Sequence, residues 1–261
     1  MPNSAAPLVA LRGVGKEFAN SVVALDRFDL DVRPAEFLTL LGPSGCGKST
    51  ALRLIAGLSA PTRGRIDWAD GSGAEAARAR EIGFVFQEPT LMPWATVFDN
   101  VRLPLRLAGM PRATAATPVK DALARVGLDD FAETYPRELS GGMKMRASLA
   151  RALVTQPRLL LMDEPFAALD EITRFRLNDD LLALWQSLGK TVVFVTHSVF
   201  ESVYLSRRIV VMTPRPGRVF AELTIDAPYP RDPGFRTSAH YAELCRRVSE
   251  ALADAMSRGE A

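Results

Sequence analysis

The chain has 261 residues, 48% of them apolar, enough for one sizeable α/β core or a core with a small satellite, which excludes disorder for most of its length. Thirty-two basic residues against thirty acidic ones leave a formal charge of +2, and no Lys/Arg run marks a nucleic-acid groove. Two cysteines in unlike contexts, Cys46 and Cys245, exclude a disulfide framework or metal-spaced cluster and fit a reducing cytosol.

In chain order, the N-terminus "MPNSAAPLVALRG" lacks a leader-like charged start and long apolar stretch, and no segment reaches the ~18 apolar residues of a membrane span. The expectation is a soluble chain, free to dock on a membrane protein. "PLVALRGVGKEF", "SVVALDRFDLDV" and "EFLTLLG" alternate or carry β-branched apolar residues and read as strands. "STALRLIAGL" then places Leu52, Ile55 and Ala56 at helical spacing and stops at Gly57. Between Glu88 and Leu139, "FDNVRLPLRLAGM" and "VKDALARVGL" read as helices separated by proline-rich or small-residue breaks. From Arg158 the buried-type strands "LLLMD", "TVVFVT" and "RIVVM", with the helical stretch "DEITRFRLNDDLLALWQSLG", point to a mostly parallel, helix-covered sheet. A closing helix is expected over "AHYAELCRRVSEALADAMSRG". No internal repeat or low-complexity tract is evident.

Between the third strand and the first helix stands "LGPSGCGKST". Gly42, Gly47, Lys48 and Ser49 fit G-x-x-x-x-G-K-[ST], in which small residues let backbone N–H groups curl around phosphate oxygens at a helix N-terminus. The loop as a whole, Gly42, Pro43, Ser44, Gly45, Cys46, Gly47, Lys48, Ser49 and Thr50, is the candidate nucleotide cradle. Lys48 supplies a point charge for the β- and γ-phosphates and Ser49 a hydroxyl for Mg²⁺. Cys46, beside Lys48 and near a helix N-terminus, is expected to have a lowered thiol pKa, an effect burial would oppose, and to be open to maleimide if the loop is exposed without nucleotide. This loop alone does not separate kinases, GTPases, helicases and transport ATPases.

In "RLLLMDEPFAALD" an apolar run delivers Asp163 to the carboxyl end of a buried strand, where ligands of open α/β sheets collect, so Asp163 is a candidate Mg²⁺ ligand. Glu164, one residue on, is placed to polarise an attacking water. In "LSGGMKMRASLARAL", Ser140 is a helix N-cap, Gly141 and Gly142 expose the first-turn N–H groups, and Ala147, Ala150 and Val154 form an apolar face behind. Two anion-binding helix ends would crowd one phosphate, so this second end would serve a nucleotide held by another subunit.

Leucine, serine and two glycines upstream of an acidic strand resemble the signature of ATP-binding cassette (ABC) ATPases, and the resemblance covers nearly the whole chain. It implies the fold: α/β, a P-loop NTPase sheet core with helices on both faces, an N-terminal antiparallel β portion and a helical insertion. The expected division is 1–87 with 140–230 as catalytic core, 88–139 as helical insertion, and 231–261 as C-terminal helical tail. The resemblance also implies further roles: Gln87 in "GFVFQEP" as the Q-loop glutamine reaching Mg²⁺ and water; His197 in "VFVTHS" as the switch histidine at the γ-phosphate; Asp170 in "FAALD" as the D-loop aspartate at a dimer interface; and Phe18 in "GKEF" as the aromatic stacked on adenine, with a core phenylalanine equally compatible. Met143 at the signature's fifth position, with "FQEPTLMPWATVFDNV" and "DEPFAALD", resembles ATPase subunits of importers for nitrate, sulfonate, taurine and pyrimidine precursors.

The implied protein is an ATP- and Mg²⁺-dependent homodimer on the cytoplasmic face of the inner membrane, working with integral membrane permease subunits and an extracytoplasmic solute-binding protein, without nucleic acid. A non-transport ABC ATPase acting on DNA or ribosomes is the alternative. Only about fifty residues between Gln87 and Leu139 leave no room for the long coiled coils of chromosome and repair members, and a P-loop kinase would have no use for "LSGG". Residues 88–107, rich in Leu91, Met92, Trp94, Val97 and Phe98, are expected to form in part an exposed docking groove for the membrane subunit, or else the small core of the insertion.

Overall fold

The computed structural model describes residues 6–69 and 81–258. Parts of the expected core and tail, namely 1–5, 70–80 and 259–261, lie outside the described residues. The chain forms two compact units, Met1–Ala79 with Gly189–Ala261, and Arg80–Leu188.

In the first unit, β1 (Val9–Glu17), β2 (Val23–Val32) and β4 (Arg63–Trp68) form an antiparallel sheet in the order β2-β1-β4, with Leu11 opposite Leu30 and Ile66. Along β2 the burial largely alternates, as one-sided packing requires. The other strands are β3 (Phe37–Leu41), β7 (Thr191–Thr196), β8 (Arg208–Met212) and β9 (Val219–Thr224). Here β3 pairs in parallel with β7 on one side and β8 on the other, and β9 closes antiparallel on β8. Every residue of β3, β7 and β8 is buried, which is why these strands read as mostly apolar runs without alternation. The unit's described α-helices are α1 (Lys48–Ile55), α6 (Val199–Leu205) and the closing helix α7 (Ala239–Ser257), which buries Tyr241, Leu244, Cys245 and Val248.

In the second unit, β5 (Ile82–Val85) pairs in parallel with β6 (Leu159–Asp163), placing Val85 opposite Met162. Among the described residues, α2 (Val97–Leu107), α3 (Arg112–Arg125), α4 (Gly141–Leu153) and α5 (Glu171–Leu188) accompany them. The break expected across the small residues before "VKDALARVGL" does not form: α3 starts at Arg112 and carries Pro118 in its interior. Pro118 cannot donate to the carbonyl of Thr114, but Thr114 is exposed and water can serve that oxygen.

Candidate active site

Leu41 ends β3 and α1 begins at Lys48, so the candidate phosphate cradle is the bare turn between a buried strand and a helix. Gly47, the residue before α1, has φ +108°, and a Cβ there would stand 2.7 Å from the carbonyl oxygen of Ala24, so only glycine fits. No side chain caps this helix end. Lys48 is buried, and its Nζ donates to the carbonyls of Gly42 (2.8 Å) and Pro43 (2.9 Å), which stretches the ammonium across the loop. Arg215 braces the outside of the loop, donating through Nε and Nη2 to the carbonyl of Gly45 at 3.1 and 2.9 Å.

Cys46 corrects an expectation. It is 1% exposed, packed under the loop rather than presented by it, so the thiol is a core residue closed to alkylation in the native fold.

His197 lies in the same unit, one residue beyond β7. Thr196 is the register partner of Leu41, so His197 and Gly42 leave the carboxyl ends of two adjacent parallel strands. Phe18 follows β1 and is 43% exposed, with Lys16 Nζ 5.4 Å from its ring centroid; the core alternative is excluded.

The second unit repeats the arrangement. Gln87 follows β5, Asp163 ends β6, and the pairing of Val85 with Met162 brings both to the carboxyl end of the β5–β6 pair. Gln87 is exposed, whereas Asp163 is only 8% exposed. Glu164 takes φ +44°, a left-handed conformation that is strained for a residue with a side chain and that turns the chain sharply off the strand. Ser140 caps α4 as the sequence suggests, its Oγ accepting from Met143 N at 3.3 Å. Gly142 has a steric reason too: a Cβ there would lie 3.0 Å from Thr173 Cγ2 in the first turn of α5. Asp170 caps that turn, accepting from Thr173 N at 2.9 Å, and hydrogen bonds from the side chain and backbone of Thr173 hold its carboxyl below the usual range.

Sequence reasoning passed over two residues that fix this unit's loops. Asn100, wholly buried on α2, accepts from Met92 N (2.7 Å) and donates to the carbonyls of Met92 (3.1 Å), Ala95 (3.1 Å) and Thr96 (3.0 Å). Arg151 on α4 donates to the carbonyls of Pro89 and Thr90. The one signal for Asn100 was an amide inside an apolar helical run. Segment 88–107 divides accordingly: Val97 and Phe98 are core, while Trp94 stands 76% exposed on the loop that Asn100 pins.

The family pattern described as ABC transporter matches residues 25–167, from β2 through the turn after Asp163. The chain belongs to the ABC transporter family. It is 46% identical to a taurine import ATP-binding protein of Rhizobium johnstonii over 209 residues, 80% of this chain and 79% of that one. It is also 46% identical to a nitrate import ATP-binding protein of Synechocystis over 215 residues, 82% of this chain and 79% of that one. A solved dimeric ATP-binding cassette, bound to ADP and Pi in a post-hydrolysis state, matches with TM-score 0.72 and 32% identity over 84% of this chain and 100% of that one. This ABC protein is an ATP-binding ATPase of the importer type. No helix among its described residues is long and apolar enough to cross a membrane.

Proposed function

We propose that this ABC ATPase energises uptake of a small solute of the nitrate, sulfonate, taurine or pyrimidine-precursor type through integral membrane permease subunits supplied by an extracytoplasmic binding protein. It acts as a homodimer on the cytoplasmic face of the membrane. Residues Gly42 to Thr50 of one copy hold the ATP phosphates while Ser140, Gly141 and Gly142 of the other close over them, with Phe18 against the adenine and Asp170 at the dimer interface. Lys48 meets the β- and γ-phosphates and His197 the γ-phosphate, where negative charge develops. Glu164 accepts a proton from the attacking water as its oxygen bonds to the γ-phosphorus and ADP leaves. Reopening of the dimer after cleavage resets the permease.

Ser49, Gln87 and Asp163 offer a hydroxyl, an amide oxygen and a carboxylate, an all-oxygen set suited to Mg²⁺. Held by these residues, the ion would supply positive charge against the phosphates.

The observation that carries the coupling is Trp94, exposed on a loop that Asn100 holds rigid seven residues after Gln87. A large aromatic displayed on a fixed loop is suited to a protein partner. The test is reconstitution with its permease in proteoliposomes: ATP-dependent solute uptake and stoichiometric co-purification are expected, and stable association with ribosomes or DNA instead would overturn the reading.

A further inference from the structure

Helix α6, which follows His197, ends on carbonyl oxygens that the C-terminal segment takes up. A helix leaves its last carbonyls without internal partners, and buried ones need donors from elsewhere. Nη1 of Arg231 donates to the carbonyls of Val203 (2.8 Å), Tyr204 (2.8 Å) and Ser206 (3.0 Å), and the Tyr229 hydroxyl donates to that of Leu205 (2.8 Å). Four consecutive carbonyls are thus served by two side chains. Arg231 Nη2 donates to the carbonyl of Ala227 at 3.0 Å, locking the guanidinium into its own segment, and the buried cation meets the negative end of the helix dipole. Two more bonds tie the same segment to the helix: Tyr204 donates to the Arg231 carbonyl (3.0 Å), and Tyr241 to the carbonyl of Phe200 in the first turn (2.9 Å).

The other end of α6 is joined to the sheet. Thr196, the last residue of β7, donates through Oγ1 to the Glu201 carboxylate at 2.6 Å and accepts from Ser198 N at 3.0 Å, while Ser198 Oγ accepts from Glu201 N at 3.3 Å. His197 is the single residue between the strand end and this cap. Its backbone is therefore joined on one side to β7, which β3 holds, and on the other to the start of α6.

We propose that Arg231 is a positioning residue for ATP hydrolysis: by taking the C-terminal carbonyls of α6 it fixes the helix's tilt and holds His197 at the height where the ring meets the γ-phosphate. The inference rests on the reading of His197 given above. Arg231 lies well beyond the segment that the family pattern matches. Lysine keeps the charge but loses the fork, because one ammonium cannot serve three helix carbonyls and the Ala227 carbonyl together.

The test measures ATP turnover and MgATP affinity in wild type, Arg231→Lys, His197→Ala and the double variant. Arg231→Lys is expected to lower kcat by about tenfold or more, the scale of a small misplacement of a catalytic group, while MgATP affinity stays within about twofold. The double variant is expected to be no slower than His197→Ala, since the placement of an absent ring has no consequence. Tyr229→Phe removes one donor and gives a smaller loss of the same kind, which keeps the question open to test if the lysine variant does not fold. Losses that multiply in the double variant overturn the proposal. So does wild-type turnover in Tyr229→Phe together with either wild-type turnover or loss of fold in Arg231→Lys. Full activity of His197→Ala sinks the role of His197 and this proposal with it, and it is recognisable because that variant leaves Arg231 untouched.

Discussion

Arg151 and Thr90 are joined by two hydrogen bonds, from Nη1 to the Thr90 carbonyl at 2.8 Å and from Nη2 to its hydroxyl at 2.9 Å. The guanidinium also reaches the Pro89 carbonyl, so helix α4, which starts at the signature glycines, carries the segment that follows Gln87. Asn100 holds the next stretch from the other side. The segment two and three residues after Gln87 is thereby anchored to α4. Arg151→Met removes all of these bonds and is expected to cost about 1–3 kcal/mol, the scale of deserted carbonyl acceptors. It should also lower ATP turnover more than ATP binding. Urea unfolding and steady-state kinetics on one preparation check both, and an unchanged midpoint with unchanged kcat refutes the link.

Glu164→Gln keeps the side chain's shape on the strained backbone at φ +44° but removes the carboxylate proposed as the base. ATP binding is expected to persist and hydrolysis to fall by about a hundredfold or more, trapping a closed dimer. Turnover by single-cycle assay and dimerisation by light scattering report the two halves. Near-wild-type turnover would remove Glu164 from the role of base.

Trp94 and Phe98 separate docking from folding. Trp94→Glu changes a residue 76% exposed and should leave stability and ATP binding intact while abolishing co-purification with the permease and solute uptake. Phe98→Ala, at a position 6% exposed, is expected to cost about 3–5 kcal/mol, the cost of emptying a core phenylalanine site. Circular dichroism beside pull-down reads the split. Intact assembly in Trp94→Glu would end the docking role.

Both cysteines are buried, and the consequence for Cys46 is opposite to what its place in the glycine loop suggests. Native protein should incorporate almost no maleimide with or without MgATP, and both thiols should label in urea. Mass spectrometry of the labelled peptides decides it, and rapid native labelling at Cys46 would contradict its packing.

What could be read along the chain depended on whether the cause was local. Strands β3, β6 and β7 were legible because each is buried from end to end, and the glycine loop because its glycines, lysine and hydroxyls stand together in one short run. Ser140 was legible for the same reason. Arg151 bonds to residues 61 and 62 positions away, and Arg231 to carbonyls 25 to 28 positions away, so neither leaves a periodic trace. In the sequence they resemble any other arginine. Cys46 misled because loop membership says nothing about which way a side chain faces. Pro118 misled because a proline's effect depends on whether the carbonyl it deserts can reach water, and Thr114 is exposed.

Two buried groups in the C-terminal segment are expected to weaken the fold as pH rises. Burial pushes the Cys245 thiol up from 9.0 to about 11, only partly offset by a hydrogen bond with Tyr241. Burial likewise pushes the Tyr229 phenol up from 10.0 to about 12, against the lowering pull of Arg231 and Arg207. A group whose folded pKa lies above its unfolded value stabilises the fold fully below the unfolded pKa and loses that contribution as pH rises through the folded one. For Cys245 the loss runs from pH 9.0 to about 11, and for Tyr229 from 10.0 to about 12. The phenolate would also forfeit the bond to the Leu205 carbonyl, so the end of α6 should loosen as Tyr229 ionises. Thermal midpoints measured across this range should fall steeply in wild type. In Cys245→Ala the early part of the decline should flatten, and in Tyr229→Phe the later part. A decline of equal steepness in all three proteins would place the alkaline transition elsewhere in the molecule.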